Sequence, residues 1–312
     1  MSKPPAPDDI IGRLAAGDVA TLAKCITLME SGGPTADLIH RGVCAKVGHA
    51  AVIGFTGAPG VGKSTLIDTY IGALRRRGHT VAVAAVDPSS PISGGAVLGD
   101  RVRMRRHVED PGVFIRSIAS RGHLGGLSES IHRVVDLMDA TGRDFIIIET
   151  VGTGQSEVEV AEIADICVVV NAPNMGDDVQ AIKAGVLEIA DVLVVNKADL
   201  PLAQRTTEQL RNMVKLRRDN QDVPVVETVA TQEAGIESLC STVDALLAAG
   251  ARDRKRNRER RIRRLIAESA GRMVHEYISA AVGGEMADLV KAAASGEIAI
   301  TAAARRALKN MP

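Results

Sequence analysis

The chain has 312 residues, 46% of them hydrophobic and 24% charged, the texture of a globular protein with room for one large domain and appendages. Lys plus Arg and Asp plus Glu both total 38, so the formal net charge is zero and nothing in the balance argues for a nucleic-acid or acidic-membrane partner. Four widely spaced cysteines without a CxxC pair, a start (MSKPPAPDDI) lacking an apolar core, and the absence of any membrane-length apolar run lead to the expectation of a cytoplasmic protein with reduced thiols.

After a Pro-rich start, residues 8–48 read as helical, with the segment SGGP at 31–34 dividing them into two helices. From Ala51 the texture changes to short β-rich runs: 51–57, 80–87, 112–118, 144–150, 165–171, 191–197 and 223–229. Several are continuously apolar, as strands buried on both faces of a parallel sheet must be. Amphipathic stretches such as 128–140 lie between them, so the expected fold is α/β, a doubly wound and mostly parallel sheet of about seven strands. After about Gly250 the strands stop. Residues 252–264 carry nine basic side chains in thirteen positions, read as a solvated helix face with a partner or dimer contact as the alternative, and the following apolar spacing predicts a long helix and then short ones. The divisions expected are a helical extension at 1–48, a nucleotide domain at 49–250 and a helical arm at 251–312.

Gly57, Ala58, Pro59, Gly60, Val61, Gly62, Lys63, Ser64 and Thr65 fit GxxxxGK[ST] at every fixed position, between a predicted strand and a predicted helix. Small residues let the backbone wrap phosphates, so that N–H groups and the helix N-terminus face the anion. Lys63 adds a point charge, and the Ser64 hydroxyl is a Mg²⁺ ligand candidate. Asn196, Lys197, Ala198 and Asp199 form NKxD at the end of a strand. The Asp199 carboxylate can accept from both N1–H and the 2-amino group of guanine, whereas adenine offers an acceptor there and no 2-amino group. Val229, Ala230 and Thr231 close the next strand, where GTPases show Ser-Ala-x; the alanine matches and the serine does not.

Acidic residues at strand ends are candidates to hold Mg²⁺ or its waters. Glu149 ends the strand DFIIIE, and Glu149-Thr-Val-Gly152 resembles the DxxG of ordinary GTPases, with Gly152 offering an N–H to the γ-phosphate. Asp87 ends its own strand and Asp100 lies in a Gly-rich segment, positions that turn or cap chemistry also explains. Gln155 is a weak match to the water-orienting Gln of small GTPases. His40, Cys44 and His49 are the closest grouping of soft-metal ligand types; His40 and Cys44 would share a helix face while His49 points away, so they read as packed or solvated residues rather than ligands.

The strings TGAPGVGKSTL (56–66), VDPSSPISGGAVLGDRVRM (86–104), ETVGTGQSEVEVAEIAD (149–165), MGDDVQAIKAGVLEIAD (175–191) and NKAD (196–199) together resemble the P-loop GTPases related to MeaB, the methylmalonic aciduria type A protein and the proteins labelled ArgK. The resemblance runs over roughly residues 10–280. It implies a SIMIBI-like GTPase that binds GTP and GDP, and that serves as chaperone of an adenosylcobalamin-dependent acyl-CoA mutase, gating cofactor delivery and protecting the mutase. The cobalamin is then handled through the partner. It also implies Mg²⁺ contacts by Ser64, Asp87, Asp100 and Glu149, and a homodimer built partly by the C-terminal helices. A third switch would span Asn174 to Lys183, including Met175, Gly176, Asp177, Asp178 and Gln180; a plain strand-to-helix loop is the alternative. A nickel-type metallochaperone GTPase and a kinase linked to amino-acid transport are the competing readings.

Overall fold

In a computed structural model the described residues are 7–87, 104–119, 126–150, 160–173, 187–215, 223–250, 254–280 and 283–309. The seven expected strands are all present: β1 (Ala51–Thr56), β2 (Val81–Asp87), β3 (Val113–Ala119), β4 (Phe145–Thr150), β5 (Ile166–Asn171), β6 (Val192–Asn196) and β7 (Val225–Thr228). They form one sheet in the order β3-β2-β4-β1-β5-β6-β7, and every pairing is parallel.

The period of two along each strand explains the layers. Ile53 and Phe55 of β1, Phe145 and Ile147 of β4, Val168 and Val170 of β5 and Val192 and Val194 of β6 face one cluster. Helices α4 (Lys63–Arg76) and α7 (Ile236–Ala248) supply Leu66, Ile67, Tyr70, Leu74, Leu239 and Val243 to that cluster. The alternate residues Val52, Ala82, Ala84, Ile146 and Ile148 face the other side. There they meet helices α1 (Pro7–Ala15), α2 (Val19–Ser31), α3 (Pro34–Val43) and α5 (Gly126–Asp139), through Leu14, Leu22, Ile26, Ile39, Val134 and Met138 among others. On the same side, Cys167, Val169, Leu193 and Val195 pack with Leu210 and Val214 of α6 (Ala203–Lys215). With both faces covered, β4 is buried at all six positions. Each large apolar side chain so enclosed contributes about 1.5–3 kcal/mol of transfer free energy.

The N-terminal segment differs from the expected two helices: a second break falls at residues 16–18. Gly17 adopts a left-handed φ of 76°, and Asp18 then starts α2 by accepting from the Thr21 amide at 3.0 Å. The pair is a helix stop followed by an N-cap, a signal shorter than SGGP but of the same chemistry.

Aspartates line the amino edge of the sheet. Asp165, just before β5, accepts from the Val52 amide of β1 at 3.0 Å; Asp191, before β6, accepts from Cys167 of β5 at 2.8 Å; Asp144, before β4, accepts from Thr80 ahead of β2 at 2.7 Å. Asp139, closing α5, accepts from Ala50 at 3.0 Å.

Residues 259–312 form a second compact unit. The long helix α8 (Arg254–Ala280) runs into it, followed by α9 (Glu285–Ala294) and α10 (Ile300–Lys309), with Leu289 and Ala307 buried. No helix among the described residues is long and apolar enough to cross a membrane.

Candidate nucleotide site

The parallel register aligns the carboxyl ends of the strands: Phe55 stands beside Glu149, which also stands beside Ala85, and Asn196 stands beside Thr228. The strand order reverses direction around β1, whose neighbours β4 and β5 lead to opposite halves of the sheet. Crevices at such a switch point are where open α/β sheets bind ligands.

Residues 57–62 bridge β1 and α4 at that point. Gly57 has φ 140° and a Cβ there would run into the Val170 carbonyl oxygen; Gly62 has φ 92° and a Cβ would stand 2.5 Å from Asn196 Nδ2. Both positions therefore demand glycine for space as well as for torsion. Val61 anchors the loop in the core at 1% exposure. Lys63 opens α4 and is itself buried; its Nζ donates to the carbonyl oxygens of Gly57 at 2.6 Å and Ala58 at 2.9 Å. Pro59 and Gly60 form the turn of the loop, and Thr65 is exposed on the first turn of the helix.

The NKAD residues meet this loop from β6. Asn196, 2% exposed, donates through Nδ2 to the Val61 carbonyl at 2.9 Å, while its Oδ1 accepts from Thr228 Oγ1 at 3.1 Å and from the Ala230 amide at 3.2 Å. Lys197 takes a left-handed φ of 57° and donates from Nζ to the Gly60 carbonyl at 2.7 Å. Four carbonyls of the phosphate loop thus accept from side chains of Lys63, Asn196 and Lys197. This orientation fits a loop whose amides serve an anion. Asp199 is exposed, past the point where the chain leaves the sheet. Of the three residues expected at the base, Ala230 is buried and donates to Asn196, Val229 bridges to Ala234, and Thr231 is exposed.

Ser64 and Glu149 also meet. The Ser64 hydroxyl donates to Glu149 Oε1 at 2.6 Å, and both residues are buried, at 7% and 4% exposure. A hydroxyl and a carboxylate converging at the end of β4, one residue from the phosphate-loop lysine, are hard oxygen donors of the kind Mg²⁺ takes, and they fit that ion. Asp87 ends β2 on the same edge, though its side chain lies outside the described residues. Asp100, Gly152, Gln155 and the segment 174–183, with Asn174, Met175, Gly176, Asp177, Asp178, Gln180 and Lys183, lie outside the described residues too.

Two residues escaped the sequence reading. Thr228 holds Asn196 from the neighbouring strand, and Thr150 donates to Thr56 Oγ1 at 3.1 Å beneath the loop. Each is a buried threonine at the last position of its strand, where a hydroxyl finds polar company.

The sequence matches the family described as methylmalonyl Co-A mutase-associated GTPase MeaB over residues 22–283. It is 48% identical to a protein of Pyrococcus horikoshii over 237 residues, which is 74% of this chain and 75% of that one. To GTPase ArgK of Escherichia coli it is 37% identical over 77% of each chain. The crystal structure of a LAO/AO transport system kinase superposes with a TM-score of 0.74 at 26% identity, covering 99% of this chain and 98% of that one. The intact phosphate loop, the NKAD segment locked onto it and this extent of match lead to one conclusion: the chain is a P-loop GTP hydrolase that belongs to the MeaB family of methylmalonyl Co-A mutase-associated GTPases.

Proposed function

We propose that this GTPase is the chaperone of an adenosylcobalamin-dependent acyl-CoA mutase, gating delivery of the cofactor and protecting or reactivating the mutase. The observation that carries the reading is the reach of the family match, which extends past the nucleotide loops to most of α2 and all of α3 and α8. A relative of 36% identity, covering 74% of this chain and 63% of its own length, is the methylmalonic aciduria type A homolog of Caenorhabditis elegans, described as mitochondrial. Its name points the same way.

In this reading the 57–62 backbone cradles the phosphates, Lys63 supplies the point charge, and Asp199 reads guanine. Ser64 and Glu149, together with Asp87 and Asp100, would hold Mg²⁺, which would supply charge neutralisation on the phosphates. Gly152 donates an N–H to the γ-phosphate. Residues 174–183 report nucleotide state to the mutase, because a partner responds only to states that bind it differently.

The helical extension at 1–48, the nucleotide domain at 49–250 and the arm at 251–312 divide the work, and the protein acts in the cytoplasm. A homodimer through the arm is supported by Ile262, Ile266 and Met273, exposed apolar residues that fall on one stripe of α8.

Turnover of GTP with and without candidate acyl-CoA mutases tests the proposal. The cognate mutase accelerates hydrolysis, and Asp177→Ala and Lys183→Ala keep basal turnover while losing that acceleration. If no adenosylcobalamin-dependent mutase alters turnover or binds in the presence of a non-hydrolysable GTP analogue, the chaperone reading fails and the GTPase assignment stands.

A further inference from the structure

Away from the nucleotide loops, α3 and α5 bring together three side chains of unlike chemistry. A ring nitrogen of His40, the Sγ of Cys44 and a carboxylate oxygen of Asp136 all lie within 4.8 Å of one another. His40 Nε2 stands 2.8 Å from Asp136 Oδ2, although the two residues are 96 positions apart in sequence. A second imidazole stands behind the carboxylate: His132 Nε2 is 3.7 Å from the same Asp136 oxygen, one helical turn earlier on α5. The rings of His40 and His132 meet edge to face with centroids 6.3 Å apart. Asp136 and His132 are buried, at 4% and 3% exposure, while His40 and Cys44 keep partial access to solvent.

We propose that His40, Cys44 and Asp136 form a site for one divalent cation of the zinc type, with solvent as the fourth ligand and His132 backing the Asp136 carboxylate. Imidazole, thiolate and carboxylate are the donors such an ion selects, and a tetrahedral site with bonds of ~2.0–2.3 Å needs donors about 3.3–3.8 Å apart. His40 and Asp136 stand 2.8 Å apart and all three donors lie within 4.8 Å of one another, limits that lie on either side of that range.

From the sequence, His49 points away from His40 and Cys44 and none of the three reads as a ligand; His49 is indeed exposed, and the residue that joins His40 and Cys44 is Asp136 of α5. A guanidinium, Arg258, also reaches Cys44, donating to its carbonyl oxygen at 3.4 Å. Its charge also favours the ionised forms of the Cys44 thiol and the Asp136 carboxyl.

The site lies at the amino edge of the sheet. Asp139, at the end of α5, accepts from the Ala50 amide just ahead of β1, whereas the phosphate loop follows the other end of that strand. A metal here ties the N-terminal helices to the helix that covers the sheet, independently of nucleotide.

The test uses the full chain, stripped of metal by a chelator and titrated with Co²⁺ alone, then with Zn²⁺ as competitor. Binding of one equivalent of Co²⁺ should give tetrahedral ligand-field absorption together with a thiolate-to-cobalt charge-transfer band, and Zn²⁺ should abolish both. Cys44→Ser should remove the charge-transfer band and weaken binding at least about tenfold, with circular dichroism checking that the variant is folded. His49→Ala should change neither. Stoichiometric Co²⁺ whose spectrum lacks the sulfur band, as oxygen ligands at the nucleotide loops would give, overturns the proposal. So does a Cys44→Ser spectrum equal to that of the wild type.

Discussion

At the amino edge of the sheet, Asp144, Asp165 and Asp191 each precede a strand and each accept from a backbone amide at the start of a neighbouring one. At the carboxyl edge the assignments reverse, and the side chains of Lys63, Asn196 and Lys197 donate to backbone carbonyls of residues 57–61. One edge uses anions to consume N–H groups and so closes itself. The other uses donors to consume C=O groups and leaves the loop fit for a ligand that is itself an anion. The same parallel sheet therefore carries a structural end and a chemical end, and which backbone groups the side chains consume, N–H or C=O, tells which is which.

Substitutions at the two ends should separate activity from stability. The largest effect is expected from Lys63→Ala, which removes the point charge: kcat/KM for GTP should fall about a thousand-fold, ~4 kcal/mol, and near-normal turnover would refute the phosphate-loop assignment.

Asp199→Asn turns an acceptor into a donor, which suits xanthine, whose ring bears an oxygen where guanine has its amino group. Competition binding should show a swing on the order of 3 kcal/mol from GTP to XTP. If both affinities stay at the wild-type values, Asp199 does not read the base.

The amino edge should behave in the opposite manner. Asp165→Ala leaves the buried Val52 amide without its 3.0 Å carboxylate acceptor and should cost about 1–3 kcal/mol in urea unfolding, with GTP affinity unchanged. A large loss of affinity at unchanged stability would erase the contrast between the edges.

The smallest effect is expected at Asp18, which uses the same carboxylate-to-amide device on a helix. The Thr21 amide, and then Arg13, hold its carboxyl at about 2, below the ordinary value near ~3.9. A depressed carboxylate stabilises the fold above its unfolded value, and that contribution is lost as pH falls from about 4 towards 2. Thermal midpoints of Asp18→Asn should therefore lie below wild type at pH 7 and converge with it in that window.

The strands were legible because a parallel sheet covered on both faces must be written as continuous apolar runs, and ICVVVN and VLVVN admit little else. The phosphate loop and NKAD were legible for a different reason: their chemistry is local, with fixed spacing. What pairs across the chain left no such mark. Nothing in the string announces that Asn196 would lean on Val61, that Thr228 would hold it, or that Asp136 would meet His40. The break at Gly17 and Asp18 was local and could have been read, but the apolar periodicity on either side of it masked a three-residue stop.

The strand order has a consequence for synthesis. The central strand β1 has no partner earlier than β4 and β5, and Val52 waits 113 positions for Asp165. At a ribosomal pace of ~5–20 residues per second, its two hydrogen-bonding edges stay open for roughly ten seconds after it emerges. β2 and β3 can pair in that interval, but β1 cannot join them until β4 arrives between. The nascent chain therefore carries a six-residue apolar strand without a neighbour, the segment most exposed to mispairing with another copy while the polypeptide is still being made.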